Sequence, residues 1–268
     1  MRAILLISTF RRHQFVANYA AGRLELVGVW QEEKSFRPGR YAVTDDDHAV
    51  IAAHFAARDR SEELFFEADR ELRLAPQAVR RSGPPGIIND PSEIAAMAAL
   101  EPDVVLVFGT GLLRGGIIGR FEHRIINLHL GLSPYYRGAG TNFWPLVNRE
   151  PEFVGATIHY LDAGIDTGPI IAHVRPVLEA ADGPHDIGNR AIVAAADVLV
   201  RAAQAHVSGP VRAVPQGARG RLYQRKDFSA DAVRRLQENF RTGMIPEYLA
   251  NRAARDAALD LLSLESGS

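Results

Sequence analysis

The sequence contains no cysteine among its 268 residues. This absence excludes disulfide bonds, thiolate catalysis, iron–sulfur clusters and zinc sites built on cysteine, and it is typical of a reducing compartment. We therefore expect a cytoplasmic location. His48 and His54 lie six positions apart, which is not the spacing of a metal pair on one helix face. We predict that both are surface residues and that the protein binds no metal.

Long apolar segments and an excess of charge of one sign are also lacking. The first apolar run, Ala3–Ile7, is short and precedes no small-residue cleavage site, which indicates a buried strand rather than a signal peptide. No segment approaches the ~20 apolar residues of a membrane span. The 31 basic and 32 acidic residues give a formal net charge of −1. We accordingly expect neither a membrane nor nucleic acid as a partner.

Apolar strand-like runs do alternate with helix-like segments along the chain. Ala3–Ile7, a helix over Arg11–Ala21 and the run Leu24–Trp30 form the first strand–helix–strand unit, and Asp103–Phe108 and Arg124–His129 continue the pattern. Strands that lose their two-residue alternation are typical of a parallel sheet covered on both faces. The pattern predicts a doubly wound, Rossmann-like α/β domain with a mostly parallel sheet.

The later part of the chain departs from this regular alternation. Gly86–Asn89 is predicted as a further short strand, and the runs starting at Val154 and Ile170 are predicted to form a hairpin. A long alanine-rich helix then extends to about Ala205. We place the main domain at 1–206 and a small, mostly helical C-terminal appendage at 207–268, in which Arg212–Lys226 is predicted as a cationic loop.

Three polar residues lie where a catalytic site would be expected. Asn127 and His129 are two apart at the end of an apolar strand, so both side chains leave the sheet on one side at its carboxyl edge. That edge is where open α/β sheets bind ligands. Asp166 lies in a turn flanked by Gly164 and Gly168. Taken singly, Asn127 and Asp166 are equally explained as turn formers and His129 as a buried strand-end histidine.

Together, an amide, an imidazole and a carboxylate suit acyl transfer to an amine. The amide of Asn127 can donate to a developing oxyanion, and His129 can exchange a proton with the attacking nitrogen. Asp166 can orient the imidazole or relay its proton. No serine or cysteine nucleophile is required for this chemistry.

At these residues the sequence resembles the folate-dependent formyltransferase family, which includes glycinamide ribonucleotide formyltransferase, methionyl-tRNA formyltransferase and the sugar N-formyltransferases. The matching pieces are Asn127-Leu-His129, Ser133-Pro134, Arg137-Gly138, Asp162 and the turn Gly164–Gly168. The resemblance implies a formyltransferase-type Rossmann-like fold for the main domain, with Asn127, His129 and Asp166 as catalytic residues and 10-formyltetrahydrofolate as the formyl donor.

The resemblance also implies where the donor binds. The family's pterin pocket uses two loops that follow strand ends, which suits a site at the carboxyl edge of the sheet. The corresponding residues in this chain are Thr110, Gly111, Leu112, Leu113, Leu161, Asp162, Gly164 and Ile165. The first of these loops is equally compatible with a plain connection between a strand and a helix.

The acceptor amine is less clearly indicated. A glycine-rich phosphate loop would follow the first strand in the ribonucleotide enzymes, whereas this chain has Arg11, Arg12 and His13 there. About sixty mostly helical residues at the C-terminus do not supply the β-barrel of the tRNA enzymes. The two arginines and His13 are candidates to grip an anionic acceptor, or else form a solvated helix turn. Tyr135 is a candidate for stacking on a sugar or base, and His159 either faces the site or packs on the sheet.

The most specific hypothesis is therefore formyl transfer to a small-molecule primary amine, most simply that of a nucleotide-linked amino sugar. One alternative is hydrolysis of the same folate, in which water replaces the amine. Another is a non-catalytic folate or nucleotide sensor that has kept the fold, because fold alone does not prove chemistry. The oligomeric state stays open, with a homodimer as one option.

Overall fold

A computed structural model describes residues 1–34, 38–164, 166–217 and 220–264, and it contains a seven-stranded sheet with helices on both faces. A separate two-stranded sheet lies beside it. The nine strands of the described residues are β1 Arg2–Ser8, β2 Glu25–Glu32, β3 Val79–Gly83, β4 Val104–Phe108, β5 Ile125–Leu130, β6 Tyr136–Gly138, β7 Ala156–Tyr160, β8 Ile170–Val174 and β9 Arg221–Tyr223.

The order of the large sheet is β3-β2-β1-β4-β5-β7-β8. The five strands from β3 to β5 are parallel, whereas β7 and β8 are antiparallel additions at one end. Strand order reverses between β1 and β4, and a crevice for ligands is expected at the carboxyl ends of strands around such a reversal. The predicted α/β fold and the predicted β7–β8 hairpin are confirmed.

Helices cover the sheet and continue past it. They are α1 Arg11–Ala21, α2 Asp45–Phe65, α3 Pro91–Ala99, α4 Gly115–Arg120, α5 Trp144–Val147, α6 Pro184–Ser208, α7 Ala230–Arg241, α8 Met244–Ala250 and α9 Arg252–Asp256. The start of α2 follows from its sequence. The Thr44 hydroxyl accepts from the Asp47 backbone N–H while the Asp47 carboxylate accepts from the Thr44 N–H, which makes a reciprocal cap.

Alternate residues of each central strand pack against opposite helical layers. Leu5 and Ile7 of β1 join a core with α1 and α6, and Ile4 and Leu6 join a core with α3 and α4. All four side chains are fully buried. This two-sided burial explains why β1 has no polar position after Arg2 until it reaches Ser8.

One helix in the described part of the chain, α6, is long and apolar enough by composition to cross a membrane. Its apolar face, which includes Ile192, Ala195 and Leu199, is buried against β4, β5 and β7. Here α6 is therefore a core helix of the domain, since its apolar residues are covered by the sheet.

Two local predictions were wrong. Gly86–Asn89 is not a strand, because Ile87–Asn89 forms a short 3-10 helix, and the edge strand is instead β3. Arg80 and Arg81 of β3 are exposed, which hid the strand from an apolar pattern. His54 is buried rather than on the surface, because its ring lies among Phe143, His185 and Phe228.

The C-terminal segment shares a core with the preceding part of the chain. Tyr223 of β9 stacks on Trp144 with ring centroids 4.3 Å apart, and on its other side it lies parallel to Tyr136 at 5.9 Å. β9 lies inside the stretch that had been predicted as a loop, and it pairs in parallel with β6. Leu236 and Tyr248 of the following helices complete this core. A division of the chain at 206/207 stays a prediction.

Candidate active site

Asn127 and His129 lie on β5 at the carboxyl edge of the parallel part of the sheet. Their antiparallel partners on β7 are His159 and Thr157, respectively. The alternation of β5 places both side chains on one face, as the sequence predicted. His129 is buried and Asn127 is half-buried.

The imidazole of His129 meets the carboxylate of Asp166. Their Nδ1 and Oδ1 atoms are 3.3 Å apart, although the residues are 37 positions apart in the chain. A carboxylate beside Nδ1 favours the tautomer with its proton on that nitrogen, which leaves the lone pair on Nε2. The Nε2 atom is buried and has no hydrogen-bond partner among the described residues.

The charge state of His129 follows from its surroundings. Burial lowers the pKa of His129, Asp166 opposes this effect, and Arg137 adds to it. The neutral form is therefore favoured in the folded protein at neutral pH, and a neutral imidazole can accept a proton through Nε2.

A second imidazole fixes the amide of Asn127. His159 Nδ1 lies 2.7 Å from the carbonyl oxygen of Tyr160, so Nδ1 carries the proton, because a carbonyl only accepts. His159 Nε2 is then the acceptor for Asn127 Nδ2 at 3.0 Å. Burial and the neighbouring His129 lower the pKa of His159, which keeps this arrangement neutral. The amide of Asn127 keeps a second hydrogen that none of the described residues takes.

The turn that carries Asp166 is held by its own polar groups. Asp162 Oδ1 accepts from the Gly164 backbone N–H at 3.0 Å and from the Thr167 hydroxyl at 2.7 Å. A Cβ at Gly168 would lie 1.8 Å from the Tyr160 carbonyl oxygen, so only glycine fits there. Asp166 itself has a φ of 50°, in the left-handed region. Hydrogen bonds on one side of Asp166 and close packing at Gly168 on the other thus hold the predicted turn. Ile165 lies outside the described residues.

The loop after β4, from Thr110 to Leu113, is tied to its neighbours while one apolar side chain is exposed. The Gly111 backbone N–H donates to Glu32 Oε1 at 3.0 Å, and Asn89 Nδ2 donates to the Leu112 carbonyl at 3.0 Å. Leu112 is 66% exposed. The loop therefore combines a fixed backbone with an exposed apolar side chain, and its role in donor binding stays a prediction.

Sequence reasoning missed two residues that support this loop. Glu32 is buried at the end of β2, and Lys34 donates through Nζ to the carbonyls of Gly109 and Thr110. Burial and Arg12 lower the pKa of Lys34 to about 8. The position of Glu32 at the end of an apolar strand was a usable signal, because carboxyl ends of parallel strands collect ligand-site residues.

The predicted acceptor residues after β1 are partly engaged within the protein, and Arg11 Nη1 and His13 Nδ1 are buried without a hydrogen-bond partner among the described residues. Arg12 forms a close ion pair with Glu62 of α2, and Arg11 lies 3.3 Å from Glu63. His13 is buried with its ring 4.7 Å from that of Phe108, and burial lowers its pKa well below the usual value.

Tyr135 is engaged with the C-terminal segment. Its hydroxyl accepts from the Asp260 backbone N–H at 2.8 Å, and its ring lies 5.1 Å from that of Phe153. An acceptor role for Tyr135 and for the residues after β1 stays a prediction.

A cavity of about 200 Å³ opens beside the carboxyl end of β5. It is lined in part by Leu130, which follows His129, and by Arg12, Asn142 and the pair His54 and His185. The two imidazoles are 4.6 Å apart, and burial lowers the pKa of His54 to about 3 and that of His185 to about 4. The cavity therefore offers neutral rings and amides beside an internally paired arginine.

No group of three or more acidic or histidine side chains in the described ranges is arranged to hold a metal ion. The histidines near the site are instead occupied by Asp166, Asn127 and the Tyr160 carbonyl. The side chains that meet at the described site are an amide, an imidazole and a carboxylate.

The family model described as formyl transferase matches residues 85–203. This match covers less than half of the chain, and over these residues the protein is similar to the formyl transferase family. The formyl transferase segment contains Asn127, His129 and Asp166 together with both predicted donor loops, whereas Arg11–His13 lie outside it.

A curated relative and two solved structures extend this comparison. A methionyl-tRNA formyltransferase of Aromatoleum aromaticum is 29% identical over 194 residues, which are 69% of this chain and 61% of the relative. The chain thus spans less than two thirds of that relative's length. The crystal structure of glycinamide ribonucleotide transformylase 1 from Symbiobacterium toebii has a TM-score of 0.53 at 20% identity and covers 81% of this chain and 94% of its own.

The second solved structure is that of WlaRD, a sugar 3N-formyl transferase in the presence of dTDP and 5-N-formyl-THF. It has a TM-score of 0.51 at 16% identity and covers 85% of this chain and 72% of its own. Likeness at this level of identity establishes a shared formyl transferase fold.

Proposed function

We propose that the protein transfers a formyl group from 10-formyltetrahydrofolate to a primary amine of a small molecule. The observation that carries the proposal is the buried, unpartnered Nε2 of His129 beside Asn127, with Asp166 fixed on the opposite ring nitrogen. The match of this segment to the formyl transferase family supports the same reaction. When bound, the folate supplies the formyl carbon, and the side chains of this chain supply proton transfer and charge stabilisation.

His129 is the group that takes the proton of the attacking amine. Its Nε2 lone pair is directed away from Asp166, and the neutral form is favoured by burial. Asp166 then stabilises the imidazolium that forms, because a carboxylate 3.3 Å from Nδ1 favours the charged state. This arrangement lets one ring accept a proton on one side while its charge is balanced on the other.

Asn127 is the group that stabilises negative charge on the oxygen of the transferred group. One amide hydrogen is held by His159, and this contact fixes the plane of the amide. The second hydrogen can then donate to the oxyanion without a rotation of the side chain. Such preorganised donors are the main source of oxyanion stabilisation.

For the acceptor we propose a nucleotide-linked amino sugar. WlaRD, which has the same fold, is a sugar 3N-formyl transferase whose structure was determined in the presence of dTDP, and this supports the proposal by analogy of fold. The cavity beside Leu130 lies close to the strand end that carries His129 and offers Asn142 and the His54–His185 pair to a polar ring. Its two arginines, Arg12 and Arg58, already have an acidic partner in Glu62.

The experiment that tests the function measures tetrahydrofolate and formate separately. The enzyme is incubated with 10-formyltetrahydrofolate alone and with a panel of amino sugars, nucleotide-linked amino sugars and amino acids. Tetrahydrofolate that appears only with an amine, and without formate, is the expected result. Formate release without an amine would indicate the hydrolase, and binding without turnover across the panel would indicate a sensor. A His129→Ala variant serves as the inactive control.

A further inference from the structure

The segment that follows α6 lies directly against the turn that carries Asp166. Val214 forms an antiparallel bridge with Ile170, the first residue of β8, through two backbone hydrogen bonds of 2.8 Å each. Two residues further on, Gln216 Nε2 donates to the carbonyl oxygens of Asp166 and Gly168, each at 2.8 Å. Both hydrogens of one side-chain amide are therefore used on this turn.

The contact falls on the residue of the turn that has a left-handed backbone conformation. Asp166 has a φ of 50°, a left-handed conformation that is uncommon for non-glycine residues, although aspartate adopts it more readily than most. The Asp162 carboxylate fixes Gly164 and Thr167 on one side of Asp166. Gln216 fixes the Asp166 carbonyl itself, so it acts on the residue whose side chain faces His129.

We propose that Gln216 is a positioning residue that holds the Asp166 backbone so that the carboxylate stays against Nδ1 of His129. The kinetic part of this inference rests on the proposed function. An NH₂ group is needed, because two carbonyl oxygens must both receive a hydrogen from one side chain. A carboxylate of the same size would repel both carbonyls, since it only accepts.

The charged and titratable groups around His129 make this role measurable. Asp166 raises the pKa of His129, whereas Arg137 and burial lower it, and His159 lies with its ring 6.4 Å away. If the turn relaxes and the carboxylate moves away, the raising influence is lost. The pKa of His129 must then fall, whereas a purely structural contact would leave it unchanged.

The test compares the full chain with Gln216→Met and Gln216→Asn. Methionine keeps the length without the amide, and asparagine keeps the amide but is one methylene too short to reach both carbonyls. Gln204→Met, on an exposed glutamine of α6, is the matched control. The pKa of His129 is read from the Hε1 resonance in an NMR titration, and thermal unfolding is measured alongside.

For Gln216→Met we expect the pKa of His129 to fall by about one pH unit, because an opposite charge is moved away. We expect kcat to fall about 10- to 100-fold, as is typical of a misplaced catalytic group, with the acceptor KM unchanged. Gln216→Asn should give smaller changes in the same direction, and the control should give none.

An unchanged pKa of His129 in the folded variant overturns the proposal, whether kcat changes or not. Failure of both variants to fold also contradicts it, because a contact on a turn should not be needed for folding. The titration requires no substrate. A wild-type protein without any folate turnover would thus refute the proposed function while the pKa still decides the role of Gln216.

Discussion

The two polar regions at the carboxyl edge of the sheet differ in how far their side chains are already paired within the protein. At the end of β5, His129 Nε2 is buried without a partner among the described residues, and Asn127 has an amide hydrogen to spare. After β1, Arg12 and Arg11 are each matched with an acid of α2, while Arg11 Nη1 and His13 Nδ1 are buried without a hydrogen-bond partner among the described residues. A buried group with unused hydrogen-bonding capacity is costly in a resting protein, so both regions are candidates for substrate contact. They differ in that the cations after β1 are already balanced by acids.

The largest expected effect comes from removing the charge opposite His129. Asp166→Asn should lower kcat by about 10²–10⁴-fold, the range of general acid–base catalysis, because the amide cannot stabilise the imidazolium. The pH profile of kcat should flatten as well. Steady-state kinetics from pH 5 to 9 would check this prediction, with circular dichroism to confirm the fold. Wild-type turnover in a folded variant would make Asp166 only a turn former.

The second-largest loss of activity is expected at Asn127, in the β5 region. Asn127→Ala should lower kcat by about 10²–10³-fold with little change in folate affinity, as expected when a donor acts mainly in the transition state. His159→Phe should give a smaller loss, because it leaves the amide present but no longer fixed. Single-turnover rates and folate binding by fluorescence separate the two quantities. Equal losses in both variants would mean that His159 has a direct role.

The third prediction concerns removal of the ion pair between Arg12 and Glu62 in the region after β1. Arg12→Ala should lower the free energy of unfolding by about 2–3 kcal/mol, because the buried Glu62 carboxylate loses its closest partner. The loss stays below that of a fully orphaned charge, since Arg58 lies 3.5 Å from Glu62. Denaturant titration of Arg12→Ala, Glu62→Ala and the double variant gives the coupling. A tenfold or larger rise in the acceptor KM for Arg11→Ala would assign these cations to the substrate instead.

The last effect concerns acid stability beside the cavity. His54, with a pKa of about 3, stays neutral in the folded protein while it gains a proton in the unfolded chain below about pH 6.5. The unfolded state thus binds more protons, and stability must fall as the pH drops from about 6.5 towards 3. His54→Phe should reduce that slope by up to about 1.4 kcal/mol per pH unit. Urea unfolding at several pH values measures the slope, and an identical slope would show that His54 is protonated in the fold.

Local patterns predicted the central features of this protein. The apolar runs gave β1, β4 and β5, and the polar residues at the end of β5 and in the glycine-flanked turn are the ones that meet in space. β3 was missed because an exposed edge strand with Arg80 and Arg81 has no apolar alternation. Gln216 was missed for a different reason: it contacts backbone carbonyls about fifty residues away, and such a contact leaves no local pattern.

The aromatic core around Tyr223 joins the two parts of the chain on either side of residue 206. Tyr136 and Trp144 come from the formyl transferase segment, whereas Tyr223 and Tyr248 come from the residues beyond it, and all four pack in one core. A fragment ending at residue 206 would retain Asn127, His129 and Asp166 but would expose this core to water. Exchange of C-terminal segments between relatives would likewise leave mismatched surfaces. A transferable unit that keeps this core covered therefore extends from the large sheet through α8.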